Sequence, residues 1–150
     1  MYNFIFFKKK NNNIIIIIIK GLIQAIKINL AANSVHIYDN LYSTLRDEFN
    51  KYSKENNLGI ELEMNLFSDQ NVTADNVKEY GTTIDSYLLK NSNKYDIYCY
   101  DPLYTIKYAP HLLNLKMELP KSHMDLYSSG DAKKVGAYNN KWVGIVSFKY

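Results

Sequence analysis

Seven side chains that can bind a polar solute follow predicted β-strands or stand at their ends. They are Asn33, Ser34, Ser68, Asp69, Tyr100, Asp101 and Ser147. Amide, hydroxyl and carboxylate groups donate and accept hydrogen bonds to ligand hydroxyls, and an aromatic ring offers a face on which a sugar ring can stack. Asn, Ser and Asp are also ordinary turn and capping residues, and Asp101 directly before Pro102 is a natural helix N-cap. Most of the 14 tyrosines are expected to be core residues. Each position is therefore either a ligand contact or a structural residue.

Metal and nucleophile chemistry has little support in the sequence. His36, His111 and His123 are far apart and belong to no known metal-ligand spacing. The chain has neither the G-x-S-x-G motif nor a glycine-rich phosphate loop. Cys99, the single cysteine, lies inside an apolar run and is expected to be a buried hydrophobe. We therefore predict no bound metal, no cofactor and no enzymatic activity.

The elements that must position these side chains alternate between strands and helices. Period-2 or fully apolar runs predict strands over 26–31, 60–67 and 95–100, and helical spacing predicts helices over 39–56, 77–88 and 103–109. Residues 116–134 are weakly patterned and predict helix fragments and loop. Parallel strands need crossovers of helical length, so the pattern predicts an α/β fold with a mostly parallel, doubly wound sheet. In such a sheet the four stretches that hold these side chains, 33–34, 67–69, 100–101 and 146–148, converge on one edge.

Residues 1–25 form a leader segment with an unusual composition. Lys8, Lys9 and Lys10 precede three asparagines and six isoleucines, and Lys20 interrupts the apolar block before Ala25. Positive charge followed by a short apolar block and a small residue is typical of a secretory signal peptide. An uncleaved hydrophobic anchor and translated low-complexity sequence are the alternatives. We expect the leader to lie outside the fold and residues 26–150 to form the domain.

The charge of the chain is concentrated in this leader. Its four lysines account for the excess of positive charge, because the rest of the chain has 14 basic and 15 acidic residues. The body is therefore close to neutral and has no basic stripe to attract a phosphate backbone, which argues against nucleic-acid binding. A single sequon at Asn71 is a predicted glycosylation site in a secreted protein.

Two motifs carry a resemblance to a known family. Tyr95-Asp-Ile-Tyr-Cys-Tyr-Asp101-Pro102 and Lys141-Trp-Val-Gly-Ile-Val-Ser147 resemble, in order and spacing, motifs of the extracellular solute-binding proteins that serve ABC importers. The resemblance covers residues 26–147. It implies part of the first lobe of a periplasmic-binding-protein-like class II fold, with the seven side chains above lining the ligand cleft. Family members often have proline where this chain has Val146.

The resemblance also implies what the protein does. It implies non-catalytic binding of a small solute, most often a saccharide or oligosaccharide, on the extracellular side, with a membrane transporter or receptor as partner. Three alternatives stay open: the ligand-sensing ectodomain of a larger receptor, a truncated product without ligand binding, and an unrelated α/β enzyme. A partial lobe is expected to leave apolar side chains near its end uncovered. These are Trp142, Val143, Ile145, Val146 and Phe148.

Overall fold

The computed structural model describes residues 3–7, 25–33, 39–67, 80–128 and 131–148. The strands are β1 Asn3–Phe7, β2 Ile26–Asn33, β3 Ile60–Phe67, β4 Ile97–Tyr100, β5 Ala137–Tyr138, β6 Lys141–Trp142 and β7 Ile145–Phe148. The helices are α1 Asp39–Glu55, α2 Tyr80–Leu89, α3 Thr105–Tyr108, α4 Leu115–Glu118, α5 Lys121–Asp125 and α6 Asp131–Gly136. Two 3-10 turns, Pro102–Tyr104 and Ala109–His111, flank α3.

Five strands form one sheet in the order β3-β2-β4-β1-β7. Strand β2 pairs in parallel with β3 from Ile26↔Ile60 to Asn33↔Phe67, and in parallel with β4 at Leu30↔Ile97. The predicted adjacency and parallel direction of these three strands is confirmed, as is the helix that follows β2. The protein is therefore a mixed α/β fold built around a three-stranded parallel sheet.

Strand β1 lies inside this sheet, between β4 and β7, and runs antiparallel to both. The expectation that residues 1–25 lie outside the fold is therefore wrong for residues 3–7. The run Phe4-Ile-Phe-Phe7 is continuous and apolar, and such a run suits a strand buried on both faces as well as the apolar block of a signal peptide. Periodicity alone cannot separate the two, and cleavage of the leader stays a prediction.

Buried side chains cover both faces of the sheet. On one face α2 packs against β2 and β4, through Ala31, Ile84, Leu88, Tyr95, Tyr98 and Tyr100. On the other face α1 contributes Tyr42 to a cluster with Leu30, Ala32 and Cys99. Alternate residues of β2 and β4 enter opposite clusters, as the period of two in a strand requires. The predicted placement of helices on the two faces of the sheet follows from this division.

The end of the chain is better covered than expected. Trp142, Val143 and Ile145 have exposed fractions of 3%, 0% and 9%, so the expectation that they lack partners is wrong. Leu115 of α4 and Met124 of α5 pack with Trp142 and Ile145. The covering residues come from short helices in a weakly patterned stretch, and such a stretch carries no local signal of what it covers. The side chains of Val146 and Phe148 lie outside the described part.

Helix α1 covers the outer edge of β3 with two side chains. Asn50 donates from Nδ2 to the Leu62 carbonyl (3.0 Å) and accepts the Leu62 amide at Oδ1 (2.7 Å). Ser53 donates from Oγ to the Ile60 carbonyl (2.6 Å) and accepts the Ile60 amide (3.2 Å). These contacts replace a neighbouring strand for two residues of β3, and an edge strand with satisfied backbone groups is a poor template for aggregation.

We expect Ser53→Ala and Asn50→Ala each to lower the free energy of unfolding by about 1–3 kcal/mol, because each leaves a backbone amide and a carbonyl without their partner. Urea denaturation followed by circular dichroism measures the change. Thr44→Ala, at an exposed position of the same helix, is the control and should stay within about 0.5 kcal/mol of the parent chain. Equal stability of all four proteins would contradict the assigned role of these two side chains.

Candidate functional site

The carboxyl ends of the parallel strands lie at one level of the sheet. Asn33 pairs with Phe67, and the β2–β4 register, continued by two residues, places Asn33 level with Tyr100. Phe4 pairs with both Tyr100 and Val146, so β7 ends at the same side. We call this side, from Asn33 and Phe67 to Asp101 and Ser147, the carboxyl edge. Neighbouring strands are about 4.8 Å apart, so the edge is about 20 Å wide.

The predicted convergence of distant polar residues is confirmed for three of them. Asn33, Asp101 and Ser147 all lie at the carboxyl edge, with Asn33 exposed. Ser34, Ser68, Asp69 and the sequon residue Asn71 lie outside the described residues. The parallel direction of β2, β3 and β4 brings their carboxyl ends to the same side, and β7 ends there because β4 and β7 both run antiparallel to β1.

Asp101 acts as a helix cap. Its backbone is extended (φ −70°, ψ 132°), and its Oδ1 accepts the amide of Leu103 at 2.9 Å. Pro102 occupies the first position of the turn, where its missing N–H costs nothing. The capping interpretation of Asp101 is therefore confirmed. The side chain is half-buried, and a carboxylate has acceptor capacity beyond a single hydrogen bond.

Tyr100 belongs to the core. Its exposed fraction is 2%, and its ring meets the Tyr108 ring edge-on with centroids 4.9 Å apart. Burial raises the pKa of the Tyr100 hydroxyl well above its ordinary value. The ring therefore supports the carboxyl edge from below and offers no open face on which a sugar could stack.

The segment after Asp101 is anchored to α2 by one hydrogen bond and one ion pair. The Tyr108 hydroxyl donates to the Gly81 carbonyl, and Lys107 Nζ lies 2.8 Å from Asp85 Oδ2. The Tyr104 and Tyr108 rings stack at 5.4 Å with an interplanar angle of 9°. Glycine at position 81 makes room, since a Cβ there would lie 2.6 Å from Tyr104 Cζ. The Tyr108 hydrogen bond and the Lys107–Asp85 ion pair therefore hold this segment against α2.

Two exposed apolar side chains stand on the outer side of this segment. Leu103 is 86% exposed and Ile106 is 67% exposed. Neither residue is among the candidates named from the sequence, although the sequence holds a signal for both. Residues 103–108 carry two apolar pairs at helical spacing, Leu103 with Ile106 and Tyr104 with Tyr108, and a short helix can bury only one such face. Tyrosine takes the buried face here.

Cys99 is buried. Burial raises the pKa of the Cys99 thiol to about 12, so the thiolate that nucleophilic attack requires is scarce at neutral pH. Within the described ranges no three His, Cys, Asp or Glu side chains come together in a way that could hold a metal ion.

None of the described helices is long and apolar enough to span a membrane.

A shallow depression of about 460 Å³ lies at the opposite side of the sheet. It is lined by residues near the start of β3 and the end of α1, which are Ala25, Asn50, Ser53, Lys54, Asn57, Gly59, Ile60 and Glu61. Asn50 and Ser53 already bond the backbone of β3. Because its best polar groups are committed to the fold, we favour the carboxyl edge as the functional site.

Comparison of the chain with protein-family models, with curated proteins and with solved structures gives no match.

Proposed function

We propose that the protein is a non-catalytic binding module that takes a small solute, a saccharide or oligosaccharide, at its carboxyl edge. The observation that carries this proposal is the common level of Asn33, Tyr100 and Val146 across the sheet, which brings Asn33, Asp101 and Ser147 to one side. Amide, carboxylate and hydroxyl groups at one edge match the hydroxyl-rich surface of a sugar.

The proposal includes an extracellular location and a membrane transporter or receptor as partner. The leader, with its lysines followed by isoleucines, supports export. Leu103 and Ile106 support a macromolecular contact beside the solute, because adjacent exposed apolar side chains mark interaction surfaces. Covering this pair would also supply a second wall for the solute. One wall buries too little of a ligand for tight binding.

The test is calorimetric titration of the full-length protein with a panel of oligosaccharides. We expect one saccharide class to bind with a dissociation constant of about 1 mM, which corresponds to about 4 kcal/mol. Asp101→Asn should weaken binding at least about 5-fold, because an amide donates where the carboxylate accepts. The substitution keeps an oxygen that can accept the Leu103 amide, so the free energy of unfolding should change by less than about 0.5 kcal/mol.

Glu61→Gln is the matched control, since it makes the same carboxylate-to-amide change at an exposed residue of the opposite edge. It should leave the dissociation constant unchanged. Equal effects of the two substitutions, or no heat with any saccharide at about 10 mM, ten times the expected constant, would overturn the proposed function and favour a product without ligand binding.

A further inference from the structure

Strand β1 lies between β4 and β7, and we call the space that it fills the slot. Strand β1 pairs with β4 from Phe4↔Tyr100 to Phe7↔Ile97, and with β7 from Asn3↔Phe148 to Ile5↔Ile145. Both flanking strands run antiparallel to β1 and are therefore parallel to each other. They lie two strand spacings apart, about 10 Å, so one strand of backbone fits between them.

The slot lies in the interior of the sheet. On its far side β4 pairs with β2, and the β4 residues Tyr98 and Cys99 are buried. Without β1, the backbone N–H and C=O groups that β4 and β7 direct into the slot would lose their partners. Unpaired backbone groups in a buried position are costly, and an open strand edge recruits another strand.

The link between β1 and β2 is too long to fix the register in which β1 pairs with its neighbours. Residues 8–25 can span about 60 Å when extended. The end of β1 and the start of β2 are about 10 Å apart across the sheet and about 13 Å along it, from the strand spacing and rise. The register of β1 therefore comes from the slot itself. A segment recognised in this way does not need a covalent connection to be bound.

We infer that this slot is a binding site for one antiparallel, apolar strand, filled here by residues 3–7 and open to the same strand supplied as a separate peptide. Main-chain hydrogen bonds on both sides provide the binding energy, as in peptide recognition by strand addition. Cleavage of the leader after Ala25 would vacate the slot, so a processed chain would need such a strand from another source.

The register gives a direct test of occupancy, because Ile5 is paired with Cys99. Opposed residues of antiparallel strands have Cα atoms about 4.5–5.5 Å apart, within the range of a disulfide. Mild oxidation of the full chain carrying Ile5→Cys should give an intrachain disulfide in most molecules. Phe6→Cys, whose register partner is Tyr98, is the control and should give little. Equal yields, or none with Ile5→Cys, would overturn the inference.

Binding of a separate peptide is tested with Ile5→Pro in the full chain. Proline removes a ladder bond from an interior strand, and the midpoint of thermal unfolding should fall by roughly 10 °C. A synthetic peptide of residues 1–10, kept soluble by its three lysines, should restore most of this loss. The same peptide carrying Ile5→Pro should not.

Asn12→Pro, outside β1, is the control chain and should unfold at the parent temperature. An unchanged midpoint for Ile5→Pro would show that residues 3–7 do not fill the slot. Equal restoration by both peptides, or none by either, would show that the slot does not accept a separate strand. Should the chain with Ile5→Pro have no cooperative transition by itself, recovery of one only with the parent peptide supports the inference, and failure to recover one contradicts it.

Discussion

Replacing Gly136 by alanine is expected to lower the free energy of unfolding by about 3 kcal/mol, the upper range for overpacking a tight site. A Cβ at this position would lie 2.5 Å from the Gly144 carbonyl oxygen and 3.2 Å from Trp142 Nε1. The same carbonyl accepts the Trp142 indole N–H at 2.7 Å, and the Gly136 carbonyl accepts the Val143 amide at 2.8 Å. Because the closest atom belongs to the backbone, it cannot swing aside.

Gly81→Ala is the matched control for this prediction. The added Cβ meets only the side chain of Tyr104, which is half-exposed and can rotate away. Alanine also gains about 1 kcal/mol over glycine inside a helix, which offsets part of the lost ring contact. We therefore expect a change of less than about 1 kcal/mol in urea denaturation. A loss at Gly136 no larger than that at Gly81 would contradict the close packing of Gly136 against Gly144.

Raising the pH above about 9 is expected to destabilise the protein steeply, because the pKa of the buried Cys99 thiol rises from 9.0 in the unfolded chain to about 12 in the folded one. Between these values the unfolded chain has lost the proton and the folded chain still holds it. The full stability is therefore present below pH 9.0 and falls by about 1.4 kcal/mol per pH unit up to the folded pKa. The total loss from this group approaches about 4 kcal/mol.

Tyrosine hydroxyls extend this effect. Burial raises the pKa of Tyr98 from 10.0 to about 12, and it also raises the pKa of Tyr80, Tyr100 and Tyr108. These groups favour the folded state below pH 10 and add to the slope above it, by the same sign argument. During alkaline unfolding, the absorbance of ionised tyrosine should therefore rise while the helical circular dichroism signal is lost.

The measurement is the free energy of unfolding in urea at a series of pH values from about 8 to about 11. Cys99→Ala lowers stability at every pH by opening a small cavity, and it should also reduce the slope above pH 9.0 by about 1.4 kcal/mol per unit. Identical slopes for the two proteins would contradict the buried, protonated state of the thiol. A free energy of unfolding of the parent chain that stays constant over this pH range would also contradict it.

The parallel part of the fold could be predicted from the sequence, because its signals are local. Alternation in 26–31 and 60–67 indicates strands, and the helical period of 39–56 indicates a helix. The apolar run 95–100 is bounded by turn residues on both sides, Asn91–Asn93 and Asp101-Pro102, which favours a strand. Once β2, β3 and β4 are parallel, their carboxyl ends share an edge, and Asn33 and Asp101 meet there. The capping role of Asp101 also followed from the proline after it.

The remaining features depend on contacts between distant segments. An apolar run such as Phe4–Phe7 has no period of its own, so only the free edges of β4 and β7 make it a strand. Burial of Trp142 required Leu115 and Met124 from short helices whose sequence is mostly polar. The inward turn of Tyr100, away from the edge where it was expected, follows from its packing on Tyr108. Local patterns carry no information on such tertiary choices.

The central claim is that a solute binds at the carboxyl edge. It is tested most directly by nuclear magnetic resonance of the isotope-labelled full-length chain during titration with the saccharide that gives the largest calorimetric signal. We expect the largest amide shifts at Asn33, at Asp101, from Leu103 to Ile106, and at Ser147, and no shift from Gly59 to Glu61 at the opposite edge. Shifts confined to the depression near Gly59, or spread evenly over the chain, would contradict the claim.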